Sequence, residues 1–498
     1  MSISNENNNS PYYVVIDLGS NSFHMLITQQ FKGSVQIVDK IKRKVRLAAG
    51  LNDDNLLSEQ AILRGLTCLS YFAERLRNIP DHQTKIVATA AVRLAKNSAD
   101  FLQRANDILG KKVSLLSGKQ EAKLIYLGVA YTNKDTNQRF VIDIGGASTE
   151  LIIGLHFKTR KIVSLDIGCV TLNNRFFCDG LITEKAFYNA KSHVSELLQP
   201  LVEEYSSLGW HNTFGGSGTM QALAEMLIFH KKTAIISRSF LNEVEQQLLM
   251  FSNIKQIKIP GLKDQRRPVF LSGITILIAI FDCFNIEELQ LSNGALREGL
   301  LYQMLPPQKK LPINQQTIKS LKQRYHVDTQ YADNVKEQVI YLFDCFSQAW
   351  NLKKDNTYEL LLASSDLHEI GLLLAYKNHH QHSAYIIEHS DLIGFNQTER
   401  QLLKSLILFH TGDISSECLK QSFTDNQLLI YLLVILRLAV ILCRQRNDHH
   451  LPSYTAYIDQ DIHLCMPNDW LHSHPLIHDE LTQEIQCLRK VGYHLIVS

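Results

Sequence analysis

Tyr12-Tyr13-Val14-Val15-Ile16-Asp17-Leu18-Gly19-Ser20-Asn21-Ser22 is an apolar run that ends in an acid and then a turn. The same order returns as Phe140-Val141-Ile142-Asp143-Ile144-Gly145-Gly146-Ala147-Ser148-Thr149-Glu150. Each apolar run has the residue types of a buried strand. The acid at its end falls at the floor of a cleft. The glycine lets backbone N–H groups turn toward an anion, and Ser or Asn adds a donor without charge. One such turn is a weak signal. Two at matching positions point to a duplicated domain whose turns oppose one another across a cleft. That geometry suits a phosphate chain.

Strand and helix patterns alternate between and after these turns, which indicates an α/β architecture. Strands are predicted over His24–Gln29, Val35–Val38, Ile41–Leu47, Lys85–Thr89, Val113–Leu116 and Leu151–Ile153. Helices are predicted over Ser58–Leu76, with Ser58 as N-cap, Asp100–Leu109 and Gln120–Tyr131. Pro306-Pro307 and Pro312 form the clearest linker. Beyond it helical patterns dominate: Thr317–Tyr325, Tyr331–Trp350, Tyr358–Leu374, Gln397–Phe409 and Asp425–Gln445. The tail is more mixed, with a strand at Ile462–Met466. The domains read as α/β domain I over 11–125, α/β domain II over 126–305 and a helical region over 306–498, with a small mixed tail from about 450.

Composition narrows the function. The 498 residues are 45% hydrophobic and 20% charged, as in an ordinary globular protein. Lys plus Arg is 51 and Asp plus Glu is 49, a net charge of +2, so the chain does not coat nucleic acid through bulk charge. An anionic ligand must be held by a local set of donors. The polar start lacks the basic-then-apolar run of a signal peptide. The longest apolar stretch, Leu428–Cys443, is broken by Arg437 and falls short of the roughly 20 residues of a bilayer span, so a buried helix is expected and no membrane partner. Nine scattered cysteines without a CxxC pair read as reduced thiols in a cytoplasmic protein. Of the 24 glycines, 20 lie at or before Gly299, while 14 of the 20 histidines lie after position 300, which marks a change of domain type.

Two further glycine segments join strands to helices. Asn212-Thr213-Phe214-Gly215-Gly216-Ser217-Gly218-Thr219-Met220 precedes a helical pattern after Gly218, whose first N–H groups can face a phosphate. In Leu291-Ser292-Asn293-Gly294-Ala295-Leu296-Arg297-Glu298-Gly299, Arg297 can pair with phosphate or brace its own loop, with equal weight. Glu121, in Ser117-Gly118-Lys119-Gln120-Glu121-Ala122, falls in a first helical turn, which the helix dipole alone explains. Lys42, Lys44 and Arg46 share one face of an alternating strand; a solvated face is the plainer reading and a cationic rim the sharper one. Arg93 is open between a structural and a functional role. His368, His379, His380, His382, His389 and His410 lack a converging carboxylate set and read as structural or interfacial rather than metal-binding.

Taken together, VIDLGSNSFHML, SGKQEAKLIYLG, VIDIGGASTEL, FGGSGT and SNGALREGLLY, in that order, resemble the exopolyphosphatase and guanosine pentaphosphate phosphohydrolase (Ppx/GppA) family over essentially the whole chain. The resemblance implies duplicated actin-like (ASKHA, ribonuclease H-like) domains, an all-helical HD-like C-terminal region and an active site between the duplicated domains. It implies Glu121 as general base, Asp143 and Glu150 at a Mg2+ ion and the reacting phosphate, and Ser20, Asn21, Gly145, Gly146, Ala147, Ser148, Gly216, Ser217 and Gly218 as phosphate-holding loops. It also implies that Arg93 contacts the phosphate chain. The family motif has two adjacent glutamates where this chain has Gln120-Glu121, and His-Asp where it has His368-Glu369. The stretch Ile41–Leu51 and the sequence GGASTE resemble the guanosine pentaphosphate branch, whereas HSAYIIEHSDLIGF from His382 to Phe395 resembles the polyphosphatase branch. Conversion of pppGpp to ppGpp is therefore expected, with inorganic polyphosphate as second substrate. Processive exopolyphosphatase activity, an actin-superfamily kinase or ATPase, and a non-catalytic ppGpp-type sensor are the other readings. A cytoplasmic homodimer without a stable nucleic-acid partner completes the expectation.

Overall fold

The first apolar run forms β1 (Tyr12–Leu18), in which Val14, Val15 and Ile16 are wholly buried. In this computed structural model, residues 10–31, 34–52, 54–133, 137–230, 232–305, 312–423, 425–446 and 451–498 are described. β2 (Ser22–Phe31) and β3 (Ser34–Lys44) follow β1 as antiparallel neighbours. The two strands expected over 35–38 and 41–47 are thus one strand, because the β2–β3 ladder runs on through Asp39 and Lys40 with only a bulge at Ile27/Thr28. Next come α1 (Glu59–Leu76), β4 (Thr84–Ala88), α2 (Ala90–Leu94), α3 (Ser98–Leu109), β5 (Ser114–Leu115) and α4 (Gly118–Thr132). Ser58 caps α1 through its side chain, which accepts from the Ala61 N–H. The sheet order is β3-β2-β1-β4-β5, with β4 parallel to β1 and β5 parallel to β4. The boundary expected between 125 and 126 lies inside α4.

The second apolar run forms β6 (Arg139–Ile144), followed by β7 (Thr149–Leu155), β8 (Lys158–Leu165), α5 (Cys169–Phe176), α6 (Glu184–Leu208) and β9 (Asn212–Gly216). The chain continues through α7 (Ser217–Phe229), β10 (Ile235–Ser237), α8 (Arg238–Leu249), α9 (Arg267–Phe284), β11 (Glu288–Leu291) and α10 (Leu296–Met304). This sheet reads β8-β7-β6-β9-β11-β10. β6, β7 and β8 are antiparallel neighbours, while β9 and β11 continue the sheet in parallel, as β1 to β5 do in the first sheet. The five-strand frame β3-β2-β1-β4-β5, that of the ribonuclease H-like, actin-like fold, thus recurs as β8-β7-β6-β9-β11, with β10 added antiparallel at the edge. α9 is long and apolar enough to cross a membrane, but its residues Ile274–Phe281 are packed in the core of this unit.

The chain divides into two compact units, Met1–Ile313 and Asn314–Ser498, so both α/β halves belong to the first. The expected linker at Pro306-Pro307 lies outside the described residues. The second unit contains α11 (Ile313–Arg324) from its second residue on, α12 (Thr329–Phe346), α13 (Asn356–Leu367), α14 (His379–His389), α15 (Gln397–Phe409), α16 (Ser416–Ser422) and α17 (Asn426–Leu442). A three-stranded sheet of β12 (Thr455–Ile458), β13 (Ile462–Cys465) and β14 (Leu495–Val497), with α18 (Asn468–Ser473) and α19 (Pro475–Arg489), makes the mixed tail.

The single helix expected over 358–374 ends as α13 at Leu367, before a 3-10 turn over Ile370–Leu373. Here the Ser364 and Ser365 hydroxyls donate to the carbonyls of Leu361 and Leu362, and the His368 ring bonds the carbonyl of Ser365. Such side chains compete with the helical ladder. The apolar run around Arg437 is a buried helix, as expected. Arg437 donates to Glu484 at 2.7 and 2.6 Å and to the carbonyls of Phe409 and Gly412.

Candidate active site

The acid that ends each apolar run is half-buried at the floor of a cavity of about 720 Å3 in the first unit. Asp17 and Asp143 come from β1 and β6, the central strands of their sheets. Burial pushes both carboxyls up to about 7, against the lowering pull of Arg297. Asp17 Oδ1 is buried without a hydrogen-bond partner. Glu150 lies across from Asp143 in the β6–β7 ladder. Burial first, and then the charges of Glu121 and Asp143, push Glu150 well above its ordinary range. Ser164, across from Glu150 on β8, donates to its Oε1 at 2.9 Å.

Three backbone turns surround these acids. The Ser20 hydroxyl accepts from the Ala91 N–H at 3.2 Å. Gly145 closes the second turn by donating to the Ser148 carbonyl at 2.8 Å, and the N–H groups of Cys169 and Val170 bond the carbonyls of Gly145 and Gly146. A Cβ on Gly146 would lie 2.8 Å from the Ser20 Cβ, so only glycine lets the two turns meet this closely. The third turn opens α7, which begins at Ser217 rather than after Gly218. Ser217 is held at φ 84°, a conformation that costs a serine about 1–3 kcal/mol and so concentrates at functional sites. A Cβ on Gly218 would fall 1.9 Å from Arg266 Nη1, so glycine is required for the guanidinium to lie against this turn.

Glu121 enters the cavity wall from the first turn of α4. Ser117 and Gln120 form a capping box there, so the Gln120 that replaces the usual glutamate caps the helix. Burial raises the Glu121 carboxyl, and its hydrogen bond from Arg93 opposes that rise. Of the residues singled out in the sequence, Ser20, Asn21, Gly145, Gly146, Ser148, Gly216, Ser217, Gly218, Glu121, Asp143 and Glu150 all line this one cavity. Ala147 is wholly buried and does not line it, and neither does Arg93.

A cationic wall was only partly legible. Lys40 and Lys42 line the cavity with Arg266, Arg297 and His24. Lys42 thus follows the sharper expectation of a cationic rim, while Lys44 and Arg46 are exposed and do not line the cavity, as a solvated face requires. The strand ends at Lys44, whose Nζ donates to the Gln265 carbonyl at 2.9 Å, and Arg46 has a positive φ of 53°. Arg297, at the start of α10, lies 3.1 Å from His24 Nδ1 through its Nη1. A guanidinium can only donate, so Nδ1 accepts and the His24 proton sits on Nε2. Burial, then Arg297, push His24 down to about 2, so the ring is neutral. The alternation of Lys40 and Lys42 was a usable signal; the placement of Arg266, distant in sequence, was not.

Of the second unit's histidines, two are packed in its core. His368 and His410 are buried, each with Nδ1 at a backbone carbonyl, and burial pushes His368 down to about 4 and His410 well below its ordinary value. Glu369 pairs with Arg446. Among the described residues of the whole chain, no three His, Cys, Asp or Glu side chains are grouped so as to hold a metal ion by themselves.

Known proteins with this arrangement are close at hand. The family model "Ppx/GppA phosphatase family" matches residues 26–308, and "Ppx/GppA phosphatase, domain III" matches residues 313–485. The guanosine-5'-triphosphate,3'-diphosphate pyrophosphatase of Pseudoalteromonas translucida is 43% identical over 98% of both chains, and that of Photobacterium profundum is 42% identical over the same share. Among solved structures, an exopolyphosphatase from Cytophaga hutchinsonii matches with a TM-score of 0.54 and 27% identity over 59% of this chain and 97% of that one. The Aquifex aeolicus Ppx/GppA family member matches with a TM-score of 0.50 and 26% identity over 59% and 96%. Two matched regions that follow one another along the chain, and relatives alike over nearly its full length, agree with the duplicated fold and its acid-floored cavity: the chain belongs to the Ppx/GppA phosphatase family, on its guanosine pentaphosphate branch.

Proposed function

We propose that this chain hydrolyses the terminal phosphoanhydride of guanosine pentaphosphate to give ppGpp, and that it also releases orthophosphate from inorganic polyphosphate. The observation that carries this reading is a single cavity in which a buried carboxylate, Glu121, shares the wall with Asp17, Asp143, Glu150 and three backbone turns. Relatives alike over 98% of the chain bear the name of that pyrophosphatase, and the Cytophaga structure bears the name of an exopolyphosphatase.

The turns around Ser20, Gly146 and Ser217 hold the phosphate chain through N–H and hydroxyl donors, and Lys42, Arg266 and Arg297 balance its charge. Glu121 orients a water at the terminal phosphorus and takes its proton. Charge spreads over the phosphoryl oxygens in the transition state, so fixed donors supply most of the acceleration. Asp143 and Glu150 would hold magnesium. Both are carboxylates beside further acids, Glu150 buried and Asp143 half-buried, with an unpartnered Asp17 oxygen nearby, and two carboxylates are what magnesium uses when phosphate oxygens and water complete its shell. Magnesium, when bound, neutralises charge on the phosphoryl oxygens. All nine cysteines are free, in keeping with a reducing, cytoplasmic setting; a homodimer is the assembly the resemblance implies.

Phosphate release measured side by side on pppGpp and on long-chain polyphosphate with magnesium tests the reading. Release from both is expected, with the higher kcat/KM on pppGpp. Glu121→Gln should cut kcat by about 10²–10⁴ while circular dichroism stays unchanged. Absence of release from pppGpp, or an undiminished Glu121→Gln enzyme, defeats the proposal.

A further inference from the structure

Arg93 stands on α2, a five-residue helix directly after β4. Its Nη1 donates to Glu121 Oε2 at 2.9 Å and to the Leu116 carbonyl at 3.0 Å. Its Nη2 is buried without a partner. Glu121 lines the cavity and Arg93 does not.

We propose that Arg93 is a positioning residue: it fixes the Glu121 carboxylate in the cavity wall and does not grip the phosphate chain. The inference rests on the reading of Glu121 as the base. Leu116 directly precedes Ser117, the N-cap of α4, so one guanidinium nitrogen ties both the entry to that helix and the carboxylate in its first turn. The same short helix reaches the first phosphate turn, since the Ala91 N–H donates to Ser20 Oγ. Base and phosphate turn thereby share one brace, which sets the spacing between water and phosphorus.

Charge gives the brace its purpose. Asp17 from β1, Asp143 from β6 and Glu150 from β7 all interact electrostatically with Glu121, and each repels it when ionised. Arg297 and Glu298 from α10 act on the same acidic floor with opposite signs. Arg93 is the cation hydrogen-bonded to Glu121. Without it, the neighbouring acids drive the Glu121 side chain out of the wall.

Arg93→Gln and Arg93→Lys decide the matter. In Arg93→Gln, kcat on pppGpp is expected to fall about 100-fold, the cost of an ångström-scale misplacement, with KM within about twofold. Arg93→Lys should recover at least about tenfold of that loss, because it restores a cation to the carboxylate. In Glu121→Gln protein, adding Arg93→Gln should leave pppGpp affinity within about twofold by calorimetry, since the shared target is already gone. A tenfold loss of affinity in that double variant, or a tenfold rise in KM with kcat kept, overturns the proposal. Crystal structures of both Arg93 variants give a readout that needs no turnover: Glu121 displaced with Gln and restored with Lys is expected, and Glu121 unmoved in Arg93→Gln overturns the assignment. Failure of the wild-type chain to release phosphate from pppGpp would instead remove the functional reading and leave the Glu121 displacement to stand or fall alone.

Discussion

The hairpins β1–β2–β3 and β6–β7–β8 have the same backbone plan and different side chains at the same register. β2 sets His24 across from Asp17, and β3 sets Lys42 across from His24. β7 sets Glu150 across from Asp143, and β8 sets Ser164 across from Glu150. The first hairpin thus brings Lys42 and the neutral His24 to the cavity, where His24 accepts from the Arg297 guanidinium that α10 of the other half supplies. The second contributes an acidic wall steadied by a serine hydroxyl. The duplication supplied two equivalent strand ends, Asp17 and Asp143, and single side chains on the neighbouring strands made the surroundings differ, Lys42 and His24 on one side and Glu150 and Ser164 on the other.

The largest effect is expected on removing the acid from the second hairpin. Glu150→Gln should lower phosphate release by at least about 10³-fold, as expected for loss of a group that supports charge stabilisation at the reacting phosphate. Phosphate-release kinetics at saturating magnesium check it; a change of less than about tenfold would make the two halves interchangeable. A smaller effect sharpens the cationic half. Burial and the charges of Arg266 and Arg297 push Lys42 down to about 8, so it is charged below that pH and loses its charge above it. KM for pppGpp should rise about threefold to tenfold from pH 7 to pH 9 as the cation is lost. Lys42→Arg should flatten that rise, because a guanidinium stays charged.

The smallest effect is on stability. Asp17 and Asp143 are raised to about 7, so the folded protein binds more protons than the unfolded chain between about pH 4 and 7. Stability without ligand therefore falls as pH rises through this window. Tm by scanning calorimetry without magnesium or substrate should be lower at pH 8 than at pH 5.5. Asp17→Asn should reduce that difference by a few degrees. A melting temperature indifferent to pH would mean that the acids carry no such strain.

The second unit shows the opposite treatment of buried charge. Arg437 is satisfied on every side, by Glu484 and two carbonyls, whereas the Asp17 oxygen beneath the cavity is left without a partner. Buried polar groups that serve folding are paired. Those left open in a cavity stand ready for a ligand.

The duplication, the central strands ending in Asp17 and Asp143, the glycine turns and the first-turn place of Glu121 are all legible in the order of residues alone. These follow from local periodicity and from turn chemistry, which act between near neighbours in the chain. That order also carried the alternation that puts Lys40 and Lys42 on one face, but not which face meets the cavity. Only the tertiary structure decided that Arg93 turns to Glu121, that Arg266 lies against Gly218, that Ser217 takes a left-handed backbone and that Ala147 is packed away. The reason is physical. Strand and turn patterns are written in residues a few positions apart, whereas convergence depends on contacts between segments far apart along the chain, from Arg93 with Glu121 to Arg297 with His24. The charge a side chain carries there depends on what that pairing buries beside it.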